Sequence, residues 1–236
     1  GSPLRGGGGG GGGETPMLWG GGAGVGKTPG ARPKRDPKPP MNQDPIHGTI
    51  ATYNQIAATY AQLWQDRSVL AADVAQFAAL AGPNGRVLDI GCGAGFDTAV
   101  LHQHGLRAIG VDLSWEMMQA GRQQGVAAQF VQADMRALPF VADLDGLWAC
   151  ASLLHLPRPE VPAALQTFAR LLRPGGAFYL SVKLGDDEGC RFFTYWQPET
   201  LDPLLAAAGF QIVSGSIRQG RHDTWLSRLA QKTDDN

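Results

Sequence analysis

Cysteine is scarce in this chain, and so is net charge. Three cysteines among 236 residues, Cys92, Cys150 and Cys190, are too few and too oddly numbered for a disulfide framework, which suits a reducing cytoplasm. No apolar run approaches the ~18 residues that a membrane span requires. The N-terminus lacks the compact apolar stretch of a signal peptide. The formal net charge of −1 supplies no strong field for a nucleic-acid or membrane partner. Neither kind of partner is expected.

Glycine, in contrast, is abundant, and it is unevenly spread. Residues 1–40 hold 15 of the 33 glycines and 7 of the 16 prolines. This stretch carries six basic against two acidic residues, a net of +4; the remainder has 14 against 19, a net of −5. Gly6 to Gly13 form an unbroken glycine run with no side chains to offset the entropy of ordering, and Pro29 to Pro40 disfavour helix and central strand. Residues 1–40 are therefore expected to be a disordered tail or start-site extension, and 41–236 a single folded domain. Gly21 to Thr28 match the phosphate-loop pattern G-x-x-x-x-G-K-[ST] letter for letter. That mechanism needs a strand leading in and a helix leading out, and Pro29, Gly30 and Pro33 forbid the helix, so the match is read as accidental.

From Pro45 onward, helical and strand patterns alternate. Ile50, Tyr53, Ile56, Ala57 and Tyr60 fall at helical spacing, and a second helix over about 68–81 stops at Gly82-Pro83. Strands are expected at 86–90, 107–111, 128–132, 146–150, 177–182, 209–213 and 220–229. Helices are expected at 96–104, 114–124 with Ser114 as N-cap, 159–172 and 198–208. Arg173-Pro-Gly-Gly176 is read as the stop of the 159–172 helix. Strands separated by helices imply a parallel sheet, and the short link before the last strand forces that strand antiparallel. The expected architecture is a three-layer α/β sandwich with a seven-stranded, mostly parallel sheet.

In such sheets ligands bind beyond the carboxyl ends of the strands, where strand order reverses. The first strand ends Asp89-Ile-Gly91-Cys-Gly93-Ala-Gly95. This is G-x-G-x-G and not the dinucleotide fingerprint G-x-G-x-x-G/A, whose last place is taken by Phe96. Asp89 would repel a pyrophosphate there but favour a cationic ligand group. Asp112 ends the second strand, where an acid suits the two hydroxyls of a ribose. Asp134 ends the third, where a short acceptor can meet an exocyclic amine, and Met135 offers a polarizable contact to a flat ring. Any one acid could be a loop or cap residue; the three together favour a site.

The set Asp89-x-Gly91-x-Gly93-x-Gly95, Gly110-Val-Asp112-Leu113-Ser114, Ala133-Asp134-Met135 and Leu171-Leu-Arg-Pro174-Gly175-Gly176 resembles the class I S-adenosylmethionine-dependent methyltransferases, most of all the small-molecule type 11/25 domain. The resemblance covers about Tyr53 to Leu229. It implies a Rossmann-like fold with an N-terminal helical lid, S-adenosyl-L-methionine as cofactor and no metal. Gly91, Gly93 and Gly95 would line the methionine portion, Asp89 would serve its ammonium, and Asp112 would hold the ribose. Leu113 and Met117 would sandwich the adenine, Asp134 and Met135 would meet its edge, and Tyr60 would lie over the cofactor.

A sulfonium methyl is already activated, so the enzyme has mainly to align a nucleophile with it. His155, after the fourth strand, is the best candidate base, needed only for an acceptor protonated at neutral pH; a packed gate residue is the competing reading. The fourth strand lacks the Asn/Asp-Pro-Pro-aromatic sequence of enzymes that methylate base amines, and Cys150 lacks the proline-cysteine pattern of pyrimidine-C5 enzymes. A small-molecule acceptor remains. The stretch from Gly185 to Trp196 combines three acids with aromatics, of which Tyr195 is the best pocket candidate. The alternative to an enzyme is a module that binds the cofactor without catalysis, as a sensor or partner subunit.

Overall fold

The computed structural model describes residues 44–185, 193–220 and 223–234. The glycine-rich tail with its phosphate-loop lookalike lies outside the described residues, as do the three acids Asp186, Asp187 and Glu188.

Seven strands form one sheet: β1 (Arg86–Ile90), β2 (Arg107–Asp112), β3 (Gln129–Gln132), β4 (Leu144–Cys150), β5 (Leu172–Lys183), β6 (Phe210–Gln219) and β7 (Thr224–Lys232). Their order is β3-β2-β1-β4-β5-β7-β6. The pairings from β3 across to β5 are all parallel, and β7 runs antiparallel to both β5 and β6. The sheet is the expected mostly parallel one with its last strand reversed. The helices are α1 (Pro45–Leu63), α2 (Ala71–Ala81), α3 (Phe96–Gln103), α4 (Trp115–Gln123), α5 (Val161–Leu171) and α6 (Pro198–Ala207). Among the described residues no helix is long and apolar enough to cross a membrane.

Strand side chains alternate between faces, and the core divides accordingly. Leu88, Ile90, Leu147, Ala149, Phe178 and Leu180 pack with Leu165 and Phe168 of α5 and Leu201 and Leu205 of α6. Their neighbours Val87, Trp148 and Tyr179 join Val74 and Phe77 of α2 and Leu101 of α3 on the other face. There Trp148 stacks on Tyr179 at 3.9 Å and meets Phe77 edge-on at 5.2 Å. Such ring pairs contribute about 0.5–1.5 kcal/mol each beyond their buried area.

Two boundaries depart from expectation. Arg173 to Gly176 do not merely stop a helix but lie inside β5, which begins at Leu172. Leu172 pairs with Leu144 and Ala177 with Gly146, so the extra residues of β5 are taken up by a register shift, with Gly175 at φ +70°. β6 runs on to Gln219, six residues past its expected end, and β7 starts only at Thr224. The alternation is inverted there. Val213 and Ile217 point outward, while Ser214, Ser216 and Arg218 lie on the half-covered side, bonded to Gln76, Ser227 and Asp73. No apolar period marks such an edge strand.

β1 lies between β2 and β4, where the chain's progress across the sheet reverses. The carboxyl ends of these strands therefore splay open, and the crevice between them holds the cavity described next.

Candidate functional site

The turn after β1 is built for close approach. Gly91, Gly93 and Gly95 have φ of +69°, +53° and +78°, the left-handed region that side chains rarely adopt. A Cβ on Gly91 would fall 2.3 Å from Cβ of Ser152, and one on Gly95 would meet the Phe130 ring at 2.5 Å. The loop thus stays bare, facing a cavity of about 110 Å³. Its lining includes Asp89, Gly91, Gly93, Asp112, Met117 and Tyr60 of the expected site.

Two of the expected carboxylates sit at strand ends in this wall. Asp112 takes the Gly93 N–H on one oxygen at 2.8 Å and the Ser114 N–H on the other at 2.7 Å. A carboxylate offers about four lone-pair sites, so capacity for an outside donor remains. Burial pushes its carboxyl above the ordinary carboxylate value, against the pull of the Ser114, Gly93 and Leu113 N–H groups. Asp89, 2% exposed, accepts from the Thr98 hydroxyl at 2.6 Å. Burial first, and the Asp97 charge second, hold its carboxyl well above the usual range.

Asp97 and Arg67 are cavity residues that the motifs do not announce. Asp97, in the first turn of α3, accepts from Nη2 of Arg67 at 2.8 Å and from the Trp148 indole N–H at 2.9 Å. Nε of Arg67 closes a second bond to the same carboxylate. Burial disfavours the Arg67 charge, but Asp97 and its other neighbours more than compensate and raise its affinity for the proton. Arg67 stands in the linker between α1 and α2, 30 residues from its partner, and no local pattern encodes such a pair.

Helix α1 roofs the cavity with Tyr53 and Tyr60, and its C-cap Trp64 lines it too. Asp44 caps it by accepting the Ile46 N–H at 3.0 Å, and a proline opens its first turn. Tyr53 and Tyr60 lie seven residues apart, so they share one face and meet edge to face at 5.7 Å. Burial pushes the Tyr60 hydroxyl up to about 12. Tyr53 belongs to the same helical stripe as Tyr60 and lines the cavity beside it. His155, in the 3-10 turn Leu153–His155, also lines the cavity, its Nε2 3.2 Å from the Tyr53 hydroxyl.

Other expected residues lie outside the cavity lining. Leu113 and Met135 are half-buried and pack against the α5–α6 side of the core. Asp134 turns its carboxylate to Arg136. Gly95 closes the loop behind the wall as the residue before α3. Tyr195 is half-buried, its ring 5.8 Å from the Lys183 ammonium.

Residues 87–176 match the family described as methyltransferase domain. Over 162 residues the chain is 36% identical to trans-aconitate 2-methyltransferase of Azoarcus sp. (strain BH72), covering 63% of this chain and 62% of that protein. It is 33% identical over 102 residues to malonyl-[acyl-carrier protein] O-methyltransferase of Enterobacter lignolyticus, covering 43% and 40%. The chain spans between 26% and 62% of the first three curated relatives it matches. Among solved structures, it is similar to the 1,6-didemethyltoxoflavin-N1-methyltransferase of Burkholderia thailandensis with its bound 1,6-didemethyltoxoflavin and S-adenosylhomocysteine. The TM-score is 0.66 at 25% identity, over 84% of this chain and 93% of that one.

Proposed function

We propose that the chain is a class I S-adenosylmethionine-dependent methyltransferase, whose cavity binds S-adenosyl-L-methionine and directs methyl transfer to a small organic acceptor. One observation carries this reading. The left-handed glycine loop and the carboxylates of Asp89 and Asp112 converge on a single cavity at the sheet's switch point. The donor set fits the cofactor. Asp112, a strand-end carboxylate in the cavity wall with acceptor capacity left, suits a ribose diol, and Asp89 suits an ammonium, directly or through water. Arg67 uses Nε and Nη2 on Asp97 and keeps Nη1 for a carboxylate. Gly91 and Gly93 are assigned to line the methionine portion, with Gly95 shaping the loop behind them. Met117 and Leu113 are assigned to the adenine faces, Asp134 and Met135 to its edge, and Tyr60 to the cover.

When bound, the cofactor supplies a methyl group already activated on a sulfonium, which an in-line nucleophile of the acceptor removes. The chain's task is then alignment and exclusion of water, and α1 is placed to do both. His155 is the residue placed to take a proton from an acceptor that carries one, and the Tyr53 hydroxyl now stands at its Nε2. The relatives named above act on small molecules or on a carrier-bound acyl group, and the absence of a basic, aromatic-rich module in the sequence supports a small acceptor over nucleic acid. We assign the domain to residues 41–236. We place it in the cytoplasm, a setting suited to the free thiols of Cys92 and Cys150.

Calorimetric titration tests the cofactor: S-adenosylmethionine and S-adenosylhomocysteine should bind and NAD should not. Absence of the first two would sink the reading. Turnover is tested by screening acceptors for release of S-adenosylhomocysteine; tight binding with no turnover across broad chemistries would identify a non-catalytic binding module instead.

A further inference from the structure

Arg136 gathers carboxylates from three separate parts of the chain. Its Nη2 donates to Asp44 at 2.8 Å and to Asp134 at 2.6 Å. Its Nε donates to both oxygens of Asp134, at 3.0 and 2.9 Å, and its Nη1 donates to Glu160 at 3.1 Å. Asp44 is the N-cap of α1, the roof of the cavity. Asp134 follows β3, in the place assigned to the adenine edge, and Glu160 immediately precedes α5. A planar guanidinium with five N–H donors in a fixed fork can face three acceptors at once, which a lysine ammonium on a flexible stem does less well.

The start of α1 is also seated by Ile46, buried in the core cluster with α5 and α6. Where α1 lies on α4 the buried apolar side chains are small, Ala57 and Ala61 against Ala94, Met117 and Ala120. Polar ties of α1 and the segment that follows it include the Ser114 hydroxyl donating to Asn54, the Tyr53–His155 contact and an exposed bond between Gln65 and Gln124. Tyr53, Tyr60 and Trp64 line the cavity from this side, so the seating of α1 and its C-terminal end shapes the site. A fastening at the start of α1 therefore bears on how the site is shaped.

We infer that Arg136 is a positioning residue that ties the Asp134 segment, assigned to the adenine edge, to the start of α1 through one guanidinium, so that cofactor recognition and the seating of the roof are coupled. The inference rests on the proposed cofactor reading. Any shift of the Asp134 loop as adenine arrives reaches Asp44 through a single side chain.

The experiment compares the wild-type protein with Arg136→Met, Asp44→Asn and Glu160→Gln. Amide hydrogen exchange along α1 is followed in the cofactor-free protein, and S-adenosylhomocysteine affinity is measured by calorimetry. Asp44→Asn keeps a capping oxygen for the Ile46 N–H, since asparagine caps as well as aspartate, but removes the charge that faces Arg136. Arg136→Met and Asp44→Asn should each speed α1 exchange and weaken S-adenosylhomocysteine at least about fivefold, with Glu160→Gln in between and exchange in β1 and β4 unchanged. Unchanged α1 exchange overturns the inference, as does unchanged affinity. Should Arg136→Met fail to fold, Asp44→Asn decides alone. Wild-type protein that does not bind S-adenosylhomocysteine sinks the cofactor reading and the coupling with it, whereas binding that the variants leave intact sinks only the coupling.

Discussion

Asp89 and Asp112 end neighbouring strands of one wall, yet different groups solvate them, and this sets what each substitution should do. Asp112 accepts a backbone N–H on each oxygen. In Asp112→Asn the amide nitrogen must face one of those donors, leaving a buried N–H unsatisfied at a cost of about 1–3 kcal/mol. Lower stability in urea melts and at least tenfold weaker S-adenosylhomocysteine binding (roughly 1.4 kcal/mol) are expected together. Asp89 behaves oppositely. Burial, then the Asp97 charge, raise its carboxyl in the folded chain above the ordinary value of 3.8. The native state therefore holds that proton more tightly than the unfolded one, so its contribution is most favourable below pH 3.8 and is lost as pH rises through the folded value. Asp89→Asn, whose amide oxygen can still accept from Thr98, should be more stable than wild type at neutral pH while losing cofactor affinity. Thermal melts across pH check this, and a less stable variant at pH 7 would contradict it. These two acids were legible because each closes an apolar strand beside glycine or a neighbouring motif. Arg67 was not, because its significance arises only when the fold brings it to Asp97. Asp134 was legible as a strand-end acid, but nothing local foretold that Arg136 would hold both its oxygens.

At the scale of elements, periodicity placed the helices well and the edges of the sheet poorly. The α1 stripe and the Ser114 cap were readable because both are local. The start of β5 and the length of β6 were not, since one depends on pairing with Leu144 and the other is an edge strand with its polar side half-covered. Ser114 shows how one short side chain serves two elements. Its hydroxyl accepts the Met117 N–H of α4 and donates to Asn54 of α1 at 2.6 Å. Ser114→Ala should cost about 1 kcal/mol for the lost cap alone, seen as a lower urea midpoint. It should also loosen α1, seen as faster amide exchange in that helix; exchange confined to α4 would show that the Asn54 bond carries no weight.

For the whole molecule, the strand order explains why residues from four chain segments meet. Reversal between β1 and β4 opens one crevice, and α1 is laid across it by the linker that carries Arg67. A ligand held there binds only the native state, so at a hundred times its Kd it should stabilise the fold by about 2.7 kcal/mol. A clear rise in Tm with S-adenosylhomocysteine and none with NAD is expected in thermal shift. Equal shifts would contradict the assignment of Asp89 and the glycine spacing. The parallel core and the site's location were legible from alternating strands and helices, whereas the size of the cavity depends on how α1 sits, a tertiary matter.

Trp148 adds an optical consequence. Its indole is fully buried between Tyr179 and Phe77, and its N–H ends on Asp97, a carboxylate of the cavity wall. A cationic group settling beside Asp89 and Asp97 changes the electric field along that N–H. The protein thus carries its own unlabelled gauge of occupancy: the emission colour of Trp148, read in a variant whose other five tryptophans are replaced by phenylalanine, should track filling of the site.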